Sequence, residues 1–444
     1  MNVLGTPMGI KAATACNGER DSRLDTPPPH AAGRLAQAET RVFQTGTHRS
    51  TEDIVTMFSN LRPRLNPLSP RQSGKVVSEE ARSRAAWPAR TGKPLRRPGR
   101  PWRGRAAIAL AGGLVWLLLG VVHQGAERYV AIDNVCAWPN LTLMPDGSVV
   151  ATIFNRPYHG LDVGDVESWS SRDGRLWEKR GSPAVHEGQS NRMNVAAGLA
   201  HDGSLVVLAS GWGGRDFREK ILPTLVARSS DSGRSWSRSF AVQLPEEADF
   251  LIPFGDIVQG EGELLAASFY HEIPGRANAF LLFSRDDGRS WGEAVKLAPD
   301  DYNETALLRL SPDRWLAASR SHADGHLALF VSEDEGKHWA RSGLLTLPGH
   351  HPAHLLEMAD GGILLTYGIR EKGHHGIGYR TSRDEGQTWS RPTRIVNLEE
   401  TTDGGYPSTV QLADGTLLTA YYSNRVPQHQ RYHMGAVRWV LETE

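Results

Sequence analysis

The chain has 444 residues and carries 50 Lys and Arg against 50 Asp and Glu, a formal charge of zero. Its only cysteines, Cys16 and Cys136, lie in parts of unlike character, which excludes a disulfide-stapled scaffold. Neutrality is itself a sum of two parts. Residues 1–105 hold 19 basic and 8 acidic side chains, a balance of +11, and the remainder holds 31 against 42, or −11.

Residues 1–105 run to Pro, Gly, Arg and Ser with little apolar periodicity, which predicts a disordered basic tail. Aromatic residues are few among its charges, only Phe43, Phe58, Trp87 and Trp102, so a nucleic-acid partner is not expected. The uncharged run 106–122, from Ala106 to Val122, follows the basic cluster Arg96, Arg97, Arg100, Arg103 and Arg105. That pattern predicts one apolar helix, an uncleaved transmembrane anchor or the core of a signal peptide. By the positive-inside rule the N-terminus stays cytoplasmic and everything after the helix lies outside, periplasmic or extracellular, or secreted if the run is a cleaved signal.

Residues 127–444 are repetitive. The pattern Ser-x-Asp-x-Gly-x-x-Trp occurs at Ser229–Trp236, Ser284–Trp291, Ser332–Trp339 and Ser382–Trp389. A degenerate copy at Ser170–Trp177 has Arg172 at the Asp position. Successive starts lie 59, 55, 48 and 50 residues apart, the length of one four-stranded sheet. In such a turn Asp and Ser cap backbone N–H groups, Gly supplies a positive φ, and Trp packs between sheets.

A second repeat interleaves with the first: apolar strand, turn, apolar strand. Its turns include Asp-Gly at Asp146, Asp202, Asp360 and Asp414, a strong hairpin signal. There are six such hairpins and five boxes, which predicts an all-β, six-bladed β-propeller closed by an early strand near Arg128–Ile132.

A propeller gathers the starts of its innermost strands around a central well. Those positions hold Trp138 and Asn140, Arg192 and Asn194, Asp256, Glu304, His351 and His354, and Tyr406. The ends of the paired strands add Arg156, Trp212, His271, Arg320, Arg370 and Tyr421. Charged and aromatic residues at nearly every such place predict a functional site. His350, His351 and His354 lack a flanking acidic cluster, and positions i and i+3 of a strand face opposite ways, so no metal or other cofactor is expected.

With these residues in place the chain resembles the sialidase (neuraminidase) superfamily. Asn303-Glu304 through Arg320 is similar to the sialidase strand pair that carries a catalytic Glu and a carboxylate-binding Arg. Gly405-Tyr406 through Tyr421 is similar to the segment opening with the catalytic Tyr, and Arg156-Pro-Tyr-His-Gly-Leu-Asp162 resembles the first-blade loop ending in the acid/base Asp. The resemblance implies an exo-acting glycosidase in which Tyr406 attacks, Glu304 takes its proton and Asp162 protonates the leaving oxygen. Asp165 and Glu167 in the same loop are alternatives to Asp162. Arg320 and Arg370, with Arg192, Arg156, Asp256, His351 and Trp138, would bind the substrate, a terminal acidic sugar of a glycoconjugate or oligosaccharide.

Independent chemistry agrees. A carboxylate beside the reacting carbon would repel a carboxylate nucleophile, so a phenol activated by a neighbouring carboxylate suits that ketoside. The family's first carboxylate-binding Arg falls at Ala137, within Cys136-Ala137-Trp138-Pro139, which predicts a substrate other than an ordinary sialoside. Two further readings stay open: a non-catalytic propeller binding a glycan or a protein, and a polysaccharide lyase pairing Tyr406 with a histidine. The topology is testable directly: a reporter active only in the cytoplasm, fused to the C-terminus, should give no signal, and strong signal would reverse the orientation.

Overall fold

The computed structural model describes residues 126–441 apart from 216, 218, 399 and 428. The expected tail 1–105 and apolar helix 106–122 lie outside the described residues. Among the described residues every regular element is a strand, and no helix is long and apolar enough to cross a membrane.

The first sheet is β2 (Cys136–Leu143), β3 (Val149–Phe154), β4 (Val166–Ser171) and β5 (Glu178–Ala184), hydrogen-bonded in chain order. The second runs β6 (Asn194–Leu199), β7 (Leu205–Gly213), β8 (Lys220–Ser229) and β9 (Ser237–Ser239). The third runs β10 (Ile252–Gln259), β11 (Leu265–Ile273), β12 (Arg276–Ser284) and β13 (Gly292–Lys296). A short parallel ladder sets Ala196 beside Gly255 and Ala197 beside Asp256, fusing the second and third into one eight-stranded sheet.

The fourth sheet is β14 (Tyr302–Arg309), β15 (Trp315–Ser321), β16 (Leu327–Ser332) and β17 (Ala340–Leu344). The fifth is β18 (His350–Glu357), β19 (Ile363–Ile369), β20 (Gly376–Ser382) and β21 (Thr393–Asn397). The last has β22 (Gly405–Gln411), β23 (Leu417–Ser423) and β24 (His433–Trp439), and takes β1 (Glu127–Asp133) as its fourth strand. Glu127 lies opposite Arg438 and Asp133 opposite His433. This missing turn explains the odd number of boxes. Each box joins a third strand to a fourth, and in the last sheet those two strands come from opposite ends of the described chain.

The core is divided into layers between neighbouring sheets. One layer joins the last sheet to the first through Ile132, Leu141, Ala151, Leu418 and Ala436, so the sequence of layers returns to its start. The box tryptophans seal these layers: Trp177, Trp236, Trp291, Trp339 and Trp389 each pack on a different one. The layer between fifth and last sheets has Trp439 instead.

The box turns follow their residue types. Ser332 Oγ accepts the Gly336 N–H at 2.9 Å and donates to Asp334 at 2.8 Å, and Trp339 Nε1 donates to the Gly336 carbonyl at 2.8 Å. The degenerate box corrects the sequence reading. Its working residues are Ser171 and Asp173, not Ser170 and Arg172: Gly174 N–H donates to Ser171 Oγ at 2.9 Å, and the Arg175 N–H donates to Asp173 at 2.8 Å. The turn is one residue shorter, so Asp and Gly are adjacent and the Asp is retained. Removing the hydroxyl in Ser332→Ala leaves the Gly336 N–H without its acceptor, and denaturant unfolding should register a loss of about 1–3 kcal/mol. Unchanged stability would show that hydroxyl to be dispensable.

Candidate active site

Most innermost strands begin with a β-bulge. The pairing register shifts between Cys136 and Asn140 in β2, Phe254 and Ile257 in β10, and Tyr302 and Thr305 in β14. It shifts again between His350 and Ala353 in β18 and between Gly405 and Ser408 in β22. A bulge re-aims the extra residue away from regular alternation. The residues inside these bulges include Ala137 and Trp138, Asp256, Glu304, His351 and Tyr406. Three of them hold left-handed backbone, with φ of 55° at Ala137, 41° at Trp138 and 54° at Tyr406. Bulky side chains adopt that region only where the surroundings enforce it.

Tyr406 and Glu304 meet although they belong to different sheets. The Tyr406 hydroxyl donates to Glu304 Oε1 at 2.5 Å, and Arg320 Nη1 donates to Glu304 Oε2 at 2.7 Å. Both partners are buried, Tyr406 7% exposed and Glu304 4%. Burial first, then the charge of Glu304, holds the Tyr406 phenol far above its ordinary range, so it is a neutral hydroxyl at rest. Burial alone would lower Arg320, but Glu304 and Tyr406 reverse this and keep it firmly cationic.

Arg370 lies over the Tyr406 ring, its guanidinium 5.4 Å from the centroid. It donates to the Gly404 carbonyl at 2.7 Å, to Tyr422 Oη at 3.1 Å and to Asp403 Oδ1 at 3.0 Å. Asp403 also accepts from the Tyr422 hydroxyl at 2.8 Å, the Tyr432 hydroxyl at 2.9 Å and His159 Nδ1 at 2.8 Å. Burial would raise this carboxyl, but His159, Arg370 and Tyr422 outweigh it and hold Asp403 well below the usual carboxylate range. Trp138 completes the wall, 5.4 Å from the Tyr406 ring and 5.6 Å from the His159 ring.

The other expected residues are distributed as follows. Asp256 lines a small cavity together with Tyr406 and Trp138, accepting from Asn140 Nδ2 at 2.9 Å and paired with His354 Nε2 at 2.9 Å. Arg192 is 2% exposed, and its guanidinium donates to the Pro223 carbonyl at 2.6 Å and the Ala209 carbonyl at 3.4 Å. It ties backbone segments together instead of presenting its charge to a ligand. Arg156 Nε donates to the Val163 carbonyl at 2.8 Å, bridging the neck of the 155–165 loop. Asp162 turns its carboxylate onto the Val163 N–H at 2.8 Å. Asp165 pairs with His186 at 2.7 Å, and Glu167 accepts from Lys179 at 2.5 Å and Asn155 at 2.9 Å.

Two strand-end positions shift by one residue. Tyr421 is buried in the layer between the fifth and last sheets, and Tyr422 faces the site. His271 pairs with Asp249 and meets the Phe250 ring edge-on, whereas Tyr270 feels the charges of Glu304 and Arg320. Strand alternation carries each neighbour to the opposite face. The residues missed altogether are His159, Asp403, Tyr422 and Tyr432. Asp403 had a usable signal, because it stands three residues before Tyr406.

The family profile described as a BNR repeat-like domain matches residues 162–419, more than half of the chain, and the chain belongs to that family. No curated protein matches it in sequence. Among solved structures, a protein of unknown function from Dyadobacter fermentans superposes with a TM-score of 0.60 at 21% identity, covering 72% of this chain and 100% of its own. A Hadza microbial sialidase gives 0.57 at 19% identity over 71% and 68%. The Trypanosoma rangeli sialidase gives 0.54 at 14% over 72% of this chain and 60% of its own length. The fold is therefore sialidase-like.

His351 sits where protonation is penalised. Burial, then the guanidinium groups of Arg320 and Arg370, push it down to about 2. Burial lowers His350 and His375 in the same direction. A depressed folded value means that the stabilisation is present above the ordinary histidine value of about 6.5 and is lost as pH falls below it. Denaturant unfolding followed from about pH 7 to about pH 5 should lose up to ~1.4 kcal/mol per pH unit for each such histidine. His351→Gln should flatten that slope, and an unchanged slope would remove His351 from the effect.

Proposed function

We propose that this protein is an exo-acting glycoside hydrolase of sialidase type that cleaves a terminal sugar acid from a glycoconjugate or oligosaccharide. The observation that carries the reading is the buried contact of Tyr406 with Glu304, whose second oxygen is held by Arg320. The six four-stranded meanders and the circuit of apolar layers support reading the domain as a six-bladed propeller, with this contact at its mouth.

In this mechanism the Tyr406 oxygen attacks the anomeric carbon while its proton passes to Glu304. A phenol that stays neutral until the bond forms suits a reacting carbon flanked by a carboxylate, because it brings no charge to be repelled. Arg320 and Arg370 supply cationic hydrogen-bond donors for that carboxylate. The leaving oxygen takes its proton from the 155–165 loop. A lyase would need a histidine on the Tyr406 hydroxyl, and Glu304 holds that place. A binding module has no use for a strained tyrosine clamped to a carboxylate.

Two substitutions test the reaction. Tyr406→Phe keeps the buried ring and removes the nucleophile, and Glu304→Gln removes the proton acceptor; each should lower kcat by several orders of magnitude on aryl ketosides of sugar acids. Full activity in both variants would eliminate the mechanism. Ala137, fully buried with Trp138 next to it, stands where the family has its first Arg. One lost charged hydrogen bond costs about 1.5–3 kcal/mol, so turnover of ordinary sialosides should be weak compared with that of another sugar acid. Efficient cleavage of a sialic acid aryl glycoside would refute this expectation.

A further inference from the structure

We infer that His159, held by Asp403, is the general acid and base of this site, in the place that sequence similarity gives to Asp162. The inference rests on the hydrolase reading above and names the proton donor that reading requires.

The 155–165 loop is fixed from beneath so that His159 is the residue it delivers. Gly160 lies against Trp212, where an added Cβ would stand 2.2 Å from the ring, at a φ of +72°. Asn191 Nδ2 donates to the Gly160 carbonyl at 3.1 Å, and Asn191 Oδ1 accepts the Trp212 N–H at 3.0 Å. The Arg192 N–H donates to the Gly164 carbonyl at 2.9 Å. With the loop so pinned, the His159 ring stands edge-on to Trp138 at 5.6 Å and to Tyr422 at 5.8 Å. Those same two rings flank Tyr406, at 5.4 Å and 5.7 Å. The His159 side chain is 28% exposed whereas Tyr406 and Glu304 are buried, which places it on the solvent side, where a leaving group departs.

The partner sets the tautomer. Asp403 accepts hydrogen bonds from His159, Tyr422, Tyr432 and Arg370, and an ionised carboxylate has only acceptors to offer. His159 Nδ1 therefore carries hydrogen toward Asp403, and Nε2 is the nitrogen that exchanges a proton, the logic of a carboxylate-oriented histidine. Asp162 has no equivalent arrangement, since its carboxylate caps the adjacent Val163 amide.

The proton inventory closes. As the Tyr406 oxygen bonds to the anomeric carbon, the glycosidic C–O bond breaks, the Tyr406 proton goes to Glu304, and the Nε2 proton goes to the leaving oxygen. In the second half a water attacks the same carbon and gives its proton to His159 Nε2. The Tyr406 ether bond then breaks and Glu304 returns the phenolic proton.

The test compares leaving groups. His159→Gln and wild type are assayed on nitrophenyl ketosides of sugar acids and on the matching alkyl ketosides. The variant should lose about 10²–10⁴-fold in kcat/KM on the alkyl series, and much less on the nitrophenyl series, whose leaving group needs no proton. Sodium azide should restore turnover on the nitrophenyl series with a glycosyl azide as product, which also shows that the variant is folded. Equal losses on both series, or the leaving-group signature in Asp162→Asn instead of His159→Gln, would overturn the assignment while leaving the hydrolase reading intact. Absence of ketoside cleavage by wild type would remove both.

Discussion

Glu304 must have both carboxylate oxygens satisfied, because it is buried, and its two partners reach it from different directions. Arg320 comes from the next strand of the same sheet, and Tyr406 comes from the last sheet. A buried carboxylate left with one partner would be costly. The relative placement of the fourth and last sheets is therefore coupled to this one side chain. The fifth sheet between them adds Arg370 and His351, and the first adds Trp138, so the pocket is assembled from segments far apart in the chain. Core packing between sheets and polar satisfaction at the mouth impose the same arrangement.

The bulges show where regularity was given up. Regular β pairing would send Glu304 and Tyr406 along the alternating faces of their strands, into the apolar layers or the strand partners. An extra residue at each strand start turns them toward the axis, at the cost of left-handed backbone at Ala137, Trp138 and Tyr406. Each such residue costs of order 1–3 kcal/mol. The layers beneath supply that energy. The result is a fixed arrangement: Tyr406, Glu304 and Arg320 are hydrogen-bonded to one another without help from any ligand.

Legibility in the sequence followed the range of the interactions. The box turns are local, made of side chains a few residues from the groups they cap, and so their motif announced the sheets. Glu304, Arg320, Arg370 and Tyr406 were legible because each sits at a fixed place in a hairpin. Tyr421 was mistaken for Tyr422, and His271 for Tyr270, because strand alternation sends neighbouring residues to opposite faces, so an error of one position in judging where the second strand meets the site selects the wrong face. Asp173 was hidden by a one-residue shortening of its turn. Arg192 looked like a ligand because sequence records charge without showing that backbone carbonyls consume it. Asp403 and His159 were not legible as a pair, since they are 244 residues apart and meet only because the ring closes.

That closure has a consequence for how the protein would fail. The clasp of β1 on β24 holds two strands with no turn between them, and β1 runs through Asp133 almost directly into Ala137 and Trp138. Peeling that strand would draw Trp138 away from Tyr406 and His159 while the five other sheets, each tied by its own box, kept their pairing. Heating should then disperse this side-chain cluster ahead of the bulk of the β-structure. Loss of the cluster would be an event at a seam, with its own lower temperature, and a protein that had lost it would still look folded by circular dichroism.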